Sequence, residues 1–402
     1  MVNLGQRIGV APVSNTPVLL DDMLRPMWRL MRYSGFNHGF ISPDEENKVF
    51  NIIRWVLTAL VVFLVLNISV FQLTQLAIEF PKRNHIAEIS LNAVMSIICM
   101  MAIIFLHQFY TQHNQFVQFF NEWKMVETSF TDCSNRIRTV RIAKSMTALF
   151  FLLTISCPFV IFFFNLMYPN SSIYFSYYVI FPDMFSYFPN SIYAVSFYFV
   201  LMLLFLSEIV SSFVFYQAGC MIENLKQELQ SYLAPHQNDS NVQTENENPY
   251  TFIWKKYESI QRWVNRANQL FGCIIIANQF CFISIACLSI YLTITSPKYG
   301  LSRYPYIAGV VFAALRTVGL NWLFSHLYLS CGKLKSAVAD SLSEKWHLLT
   351  KEQRDLLTSF LIRLDAGNLA ACPLNLYTID PTNLLSLLTL HISYVIVLLE
   401  SP

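Results

Sequence analysis

The chain has 402 residues, with 27 Lys+Arg against 25 Asp+Glu and a formal net charge of +2. Charged residues make up 13%, about half the roughly 25% of a soluble globular domain, while hydrophobic residues reach 54%. This balance excludes a water-soluble enzyme, which at this length could not bury so much apolar surface. It also gives no electrostatic case for nucleic acid or an acidic substrate.

The first 30 residues carry Arg7, Asp21, Asp22, Arg25 and Arg29 and no apolar run, so no cleavable signal peptide is expected. A bilayer core takes about 20 mostly apolar residues per helix. Seven stretches meet that length, at roughly 50–76, 87–107, 146–168, 190–216, 271–295, 304–329 and 381–400. The expected fold is therefore an all-α integral membrane protein with seven transmembrane helices. Ser42-Pro43-Asp44-Glu45-Glu46 leads into the first with a cap, a first-position proline and acids in the first turn. The fifth has an amphipathic lead-in over 252–270 (Phe252, Trp254, Tyr257, Ile260, Trp263), which predicts one helix entering the membrane without a break.

Orientation follows from Lys and Arg. Of the 27, 21 fall before the first span or in loops 2–3, 4–5 and 6–7, and only Lys82, Arg83, Lys298 and Arg303 fall in the alternate loops. The N-terminus is expected in the cytosol and the C-terminus outside. Asn170-Ser171-Ser172 then places a glycosylation acceptor, Asn170, in an outside loop. The sequons at Asn67 and Asn238 fall in a span and in the cytosol. This orientation is the reverse of a G-protein-coupled receptor, and that class's Asp-Arg-Tyr and Asn-Pro-x-x-Tyr motifs are missing at the ends of spans 3 and 7.

Residues 231–250 are polar and read as a disordered cytosolic linker. In loop 6–7, Thr350-x-x-Gln353 is a capping box followed by Leu356, Leu357, Phe360, Leu361 and Leu364 at helical spacing. This predicts a cytosolic helix packed on protein. The chain breaks at Cys372-Pro373 and restarts at Asp380-Pro381, a cap followed by a first-position proline.

The last helix carries Ser386, Thr389, Ser393 and Glu400 as one polar stripe, with Ile396 or Val397 filling the gap. Such a stripe packs small hydroxyls against a neighbouring helix, or it walls a water-filled path narrowed at Val397. The sequence leaves both open.

Within the spans, Arg316 lies about 17 Å from the outer end of its helix, where a charge must face protein or water. It reads as a ligand contact, a gating partner, or a structural partner of a carboxylate. Glu208 in span 4 is the other deep charge, but an apparent offset of about 10 Å argues against a direct pair. The aromatic run from Tyr168 to Tyr193 suits an interfacial belt first and a ligand surface second. Nine cysteines and eight histidines show no metal-ligand spacing, so neither a metal nor another cofactor is expected. No nucleophile elbow or P-loop occurs, and catalysis is not expected.

At the last helix the sequence resembles the insect chemoreceptor superfamily, its gustatory branch more than its odorant branch. Gustatory receptors end in Thr-Tyr, five hydrophobic residues and Gln-Phe. Here the stretch is Ser393-Tyr394-Val395-Ile396-Val397-Leu398-Leu399-Glu400-Ser401, with Tyr394 and the hydrophobic five retained. The run Leu374 to Asp380 is similar to the family's lead-in to that helix. The resemblance implies a tetrameric, homomeric or heteromeric, ligand-gated cation channel in the plasma membrane. Its partners would be membrane lipid, permeant cations and a small-molecule tastant, a sugar or bitter compound.

Carried onto this chain, residues 1–48 form a cytosolic segment and 49–330 a six-helix ligand-sensing bundle. Residues 331–380 form a cytosolic helical anchor and 381–402 the pore-lining helix. Val397 would be the constriction and Glu400 a ring at the outer mouth. An odorant receptor needing a co-receptor is the nearest alternative. A transporter is disfavoured because no internal repeat is found.

Overall fold

The computed structural model describes residues 48–79, 86–128, 187–233, 249–295, 304–366 and 369–400, with isolated positions at 24, 141, 144, 145, 148 and 152. The third expected span (146–168), the lead-in at 42–47, Asn170 and most of the aromatic run lie largely or wholly outside these residues. The elements are α1 (Lys48–Glu79), α2 (Ile86–Thr111), α3 (His113–Thr128), α4 (Tyr187–Leu233), α5 (Pro249–Thr295), α6 (Tyr304–Glu344), α7 (Lys351–Ala366), a 3-10 turn (Pro373–Asn375) and α8 (Pro381–Glu400). Among the described residues every regular element is helical.

Four of these helices are long and apolar enough to cross a membrane, or five if α2 and α3 count as one bent span. The packing of α1 shows the solvent for which it is built. Thr58, Val61, Val65, Ile68, Ser69 and Gln72 face inward, while Val56, Leu60, Phe63, Leu66, Val70 and Leu73 are exposed. An apolar outer face over a partly polar inner one fits lipid rather than water. Ser69 satisfies its hydroxyl within the helix, donating to the Val65 carbonyl at 2.6 Å.

The helix α4 is the core of the molecule. Its positions 200–218 are buried without interruption, as expected of a helix apolar on every side. The buried Ser211 and Ser212 return their hydroxyls to the Glu208 carbonyl at 2.9 and 2.7 Å. α6 runs parallel to α4 and α5 antiparallel to both. The α4–α6 register is fixed by Phe215 against Phe324 (5.7 Å), Tyr216 against His326 (4.5 Å) and Glu223 with Lys333 (3.0 Å). Gly219 allows the close approach between them, because a Cβ there would stand 3.1 Å from Leu327 Cα.

Sequence and structure differ at several boundaries. The second span continues to Thr111, turns at Gln112 and bends by 72° into α3, a helix that the sequence reading left as loop. The cause is the apolar stripe Phe116, Phe119, Phe120 and Trp123, which lies along α5. Phe119 stacks on Trp263 at 4.6 Å, and Trp123 meets the same indole at 3.7 Å. The reading of 231–250 as linker is too wide, since 231–233 end α4 and 249–250 open α5; 234–248 lie outside the described residues. α6 continues past 330 to Glu344 without a break.

Other expectations hold. α5 is continuous from Pro249 to Thr295. Thr350 and Gln353 form the capping box reciprocally, at 3.0 and 3.2 Å. α7 then packs on α5 through Phe360, which meets Trp254 at 5.6 Å and Tyr257 at 5.3 Å.

Candidate functional site

α8 starts where its cap dictates. The Asp380 carboxylate accepts the Thr382 and Asn383 backbone N–H groups at 2.8 and 3.0 Å and the Thr382 hydroxyl at 2.6 Å. The helix then packs on α5 and α6. Ser386, Thr389, Ser393, Ile396, Val397 and Glu400 are all exposed on this chain. Leu390 and Ile392 flank them, also exposed.

The polar stripe therefore does not pack against a described helix of the same chain. Ser393, itself exposed, donates its hydroxyl back to the Thr389 carbonyl at 3.0 Å. The side chain of Tyr394 falls outside those described.

Deeper in the bundle, Arg316 and Glu208 are paired directly, with side-chain exposures of 2% and 6%. This corrects the expected vertical offset. Glu208 is 21 residues into α4 and Arg316 is 12 into α6, but the parallel register makes residues 108 apart level. α4 simply begins about 14 Å farther along, at 1.5 Å per residue. The outer ends of α4 and α6 do not lie in one plane.

The guanidinium also lies over the Phe282 ring and near that of Phe205. Both rings present their negative faces to it. A cavity of about 20 Å³ adjoins the pair, lined among others by Ser211, Gln279, Thr317 and Asn321. That is room for about one water molecule. Arg316 Nε and Asn321 Oδ1 have no hydrogen-bond partner among the described residues. As arranged, this is a small polar chamber walled by aromatic rings, too small for a sugar.

Sequence reasoning missed a second polar constellation, on α5. Asn268, Gly272 and Gln279 share one face, and all three meet the turn that precedes α8. The signal available was their spacing of four and seven residues, which puts all three on one helix face. Tyr377 donates its hydroxyl to Gln279, and burial pushes that phenol up to about 12, so it stays a donor at any physiological pH. Gln108 likewise escaped notice; its Nε2 donates to the Leu270 carbonyl at 2.6 Å and ties the α2–α3 bend to α5. No cluster able to hold a metal occurs among the described residues.

Two solved structures share this architecture. The insect olfactory receptor OR5 from Machilis hrabei superposes with a TM-score of 0.69 at 16% identity, covering 95% of this chain and 99% of that one. The same receptor in complex with eugenol gives the same values. No curated protein matches the chain. At 16% identity the likeness concerns the fold. The family model described as 7tm Chemosensory receptor matches residues 24–401, nearly the full length, and the chain belongs to that chemosensory receptor family.

Proposed function

We propose that the chain is one subunit of a gustatory-type, ligand-gated cation channel of the plasma membrane, with α8 of each of four subunits lining a central pore. It crosses the membrane seven times, with the N-terminus inside and the C-terminus outside.

The observation that carries this reading is the α8 stripe. Ser386, Ser393 and Glu400 stand exposed on a face that no other described helix of the chain covers. In lipid, a hydroxyl-and-carboxylate stripe on an aliphatic helix is unfavourable, so it needs a wet or protein-covered partner face. Symmetric copies of the same helix around an axis supply one, as closed cyclic assembly requires. Val397, 59% exposed on that surface, narrows the path, and Glu400 forms an acidic ring that concentrates cations. The eugenol complex of the Machilis hrabei receptor supports a small-molecule ligand for this fold. The departures at Glu400 and Ser401 do not touch the stripe's periodicity.

The test is heterologous expression of this chain alone, with current and calcium entry recorded during challenge by sugars, bitter compounds and volatile phenols. Responses to sugars or bitter compounds without a second subunit support the gustatory reading. A response to volatiles only when a co-receptor is added replaces it with the odorant one. No cation current under any combination, with the chain at the cell surface, refutes the channel.

A further inference from the structure

The turn between α7 and α8 is held in a costly conformation. Leu374 has φ 50° and ψ 22°, and the next residue, Asn375, has φ 57°. Asn tolerates the left-handed region, but Leu does not, because its Cβ crowds the following carbonyl. Such a backbone persists only where its surroundings over-determine it.

The surroundings are one face of α5. Asn268 clamps the entry to the turn from both sides, donating Nδ2 to the Ala370 carbonyl at 3.1 Å and accepting the Cys372 N–H on Oδ1 at 2.7 Å. One turn on, Gly272 admits the Leu374 backbone so closely that a Cβ there would stand 2.5 Å from Leu374 N. Two turns further, Gln279 accepts the Tyr377 hydroxyl. The turn also closes on itself, with the Ile379 N–H donating to the Ala371 carbonyl at 2.8 Å. Asp380 then starts α8 immediately.

We propose that Asn268, Gly272 and Gln279 of α5 form a latch on the left-handed Leu374–Asn375 turn, and that this latch sets the position of α8. These are positioning residues. The clamps hold the turn against its backbone strain, so weakening the clamps and relieving the strain act on the placement of α8 in opposite senses. The proposal rests on the pore reading only for its physiological consequence. The placement of α8 by α5 is a property of the single chain.

The experiment places a reporter on α8, Val397→Cys, in the full-length receptor at the cell surface. It measures the rate at which a small, charged, thiol-reactive methanethiosulfonate applied from outside modifies that cysteine. Tyr377→Phe removes one clamp and Gly272→Ala drives a methyl into the Leu374 backbone; both loosen the latch. Leu374→Asn keeps a side chain of similar reach but accepts the left-handed backbone, which tightens it. The loosening variants are expected to change the rate about three- to tenfold, the size of one hydrogen bond per subunit. Leu374→Asn is expected to change it in the opposite direction.

A purely structural role would move all three the same way, with loss of surface protein measured by biotinylation, and that result overturns the proposal. Unchanged rates in all three overturn it as well. If the rates shift as expected but modification leaves the current intact, the latch stands and the pore reading fails. If modification blocks current at rates the variants do not alter, the pore reading stands and the latch fails.

Discussion

The Glu208–Arg316 pair makes a sharp claim about energetics, because both side chains are almost fully buried and each faces the other. Arg316→Met leaves a carboxylate among Ser211, Phe282 and aliphatic neighbours, and Glu208→Leu leaves a guanidinium that cannot lose its proton. Breaking a buried pair from one side costs about 3–5 kcal/mol, whereas replacing both partners by apolar groups of similar volume is often neutral. The double variant Glu208→Leu/Arg316→Met should therefore be more stable than either single one, by about 3–5 kcal/mol. At about 2 °C per kcal/mol for a long chain, each single change lowers the apparent Tm by on the order of 6–10 °C, and the double change recovers most of it. Thermal unfolding of the detergent-solubilised receptor, followed by size-exclusion profile, reads these shifts. A double variant as unstable as the sum of the two singles would refute the reasoning and make the contact incidental.

Glu400→Lys should reduce cation current sharply and Glu400→Gln should lower calcium relative to sodium permeability, while Val397→Ala raises ligand-independent current; unchanged conductance and selectivity in well-expressed channels would remove α8 from the pore. An epitope appended after Pro402 should bind antibody on intact cells and an N-terminal one only after permeabilisation, since 21 of 27 basic residues lie on one side in this topology. Trp263→Ala removes an indole, 3% exposed, that Phe119 and Trp123 both contact, and should destabilise the receptor by about 3–5 kcal/mol, read as a loss of Tm.

What the sequence disclosed and what it hid divide along a physical line. Signals that act within one or two turns of chain were legible. Examples are the reciprocal cap at Thr350 and Gln353, the Asp380-Pro381 start of α8, and the amphipathic lead-in that makes α5 continuous. Each depends on residues that neighbour one another in sequence, and the structure realises each. The 72° bend at Gln112 was not legible, because no Pro or Gly marks it; the aromatic stripe of α3 turns toward Trp263, more than 140 residues away in sequence. The same limit hid the α4–α6 register, where two charges that seemed offset by several residues are level.

That register also explains how a fold this apolar can carry buried charge. Gly219 lets α4 and α6 approach backbone to backbone, and residues 108 apart then meet in succession. Moving α6 by one helical turn, about 5.4 Å, would bring Leu320 or Ala313 opposite Glu208 and strand its carboxylate in apolar protein. Such a slip would also break the Phe215–Phe324 and Tyr216–His326 contacts and put a side chain against the close approach at Gly219. The pair therefore adds a polar constraint to a register that the aromatic contacts and Gly219 also set. Gln279 lines its chamber and also holds Tyr377, so the height of the α4–α6 contact and the placement of the turn before α8 share one side chain.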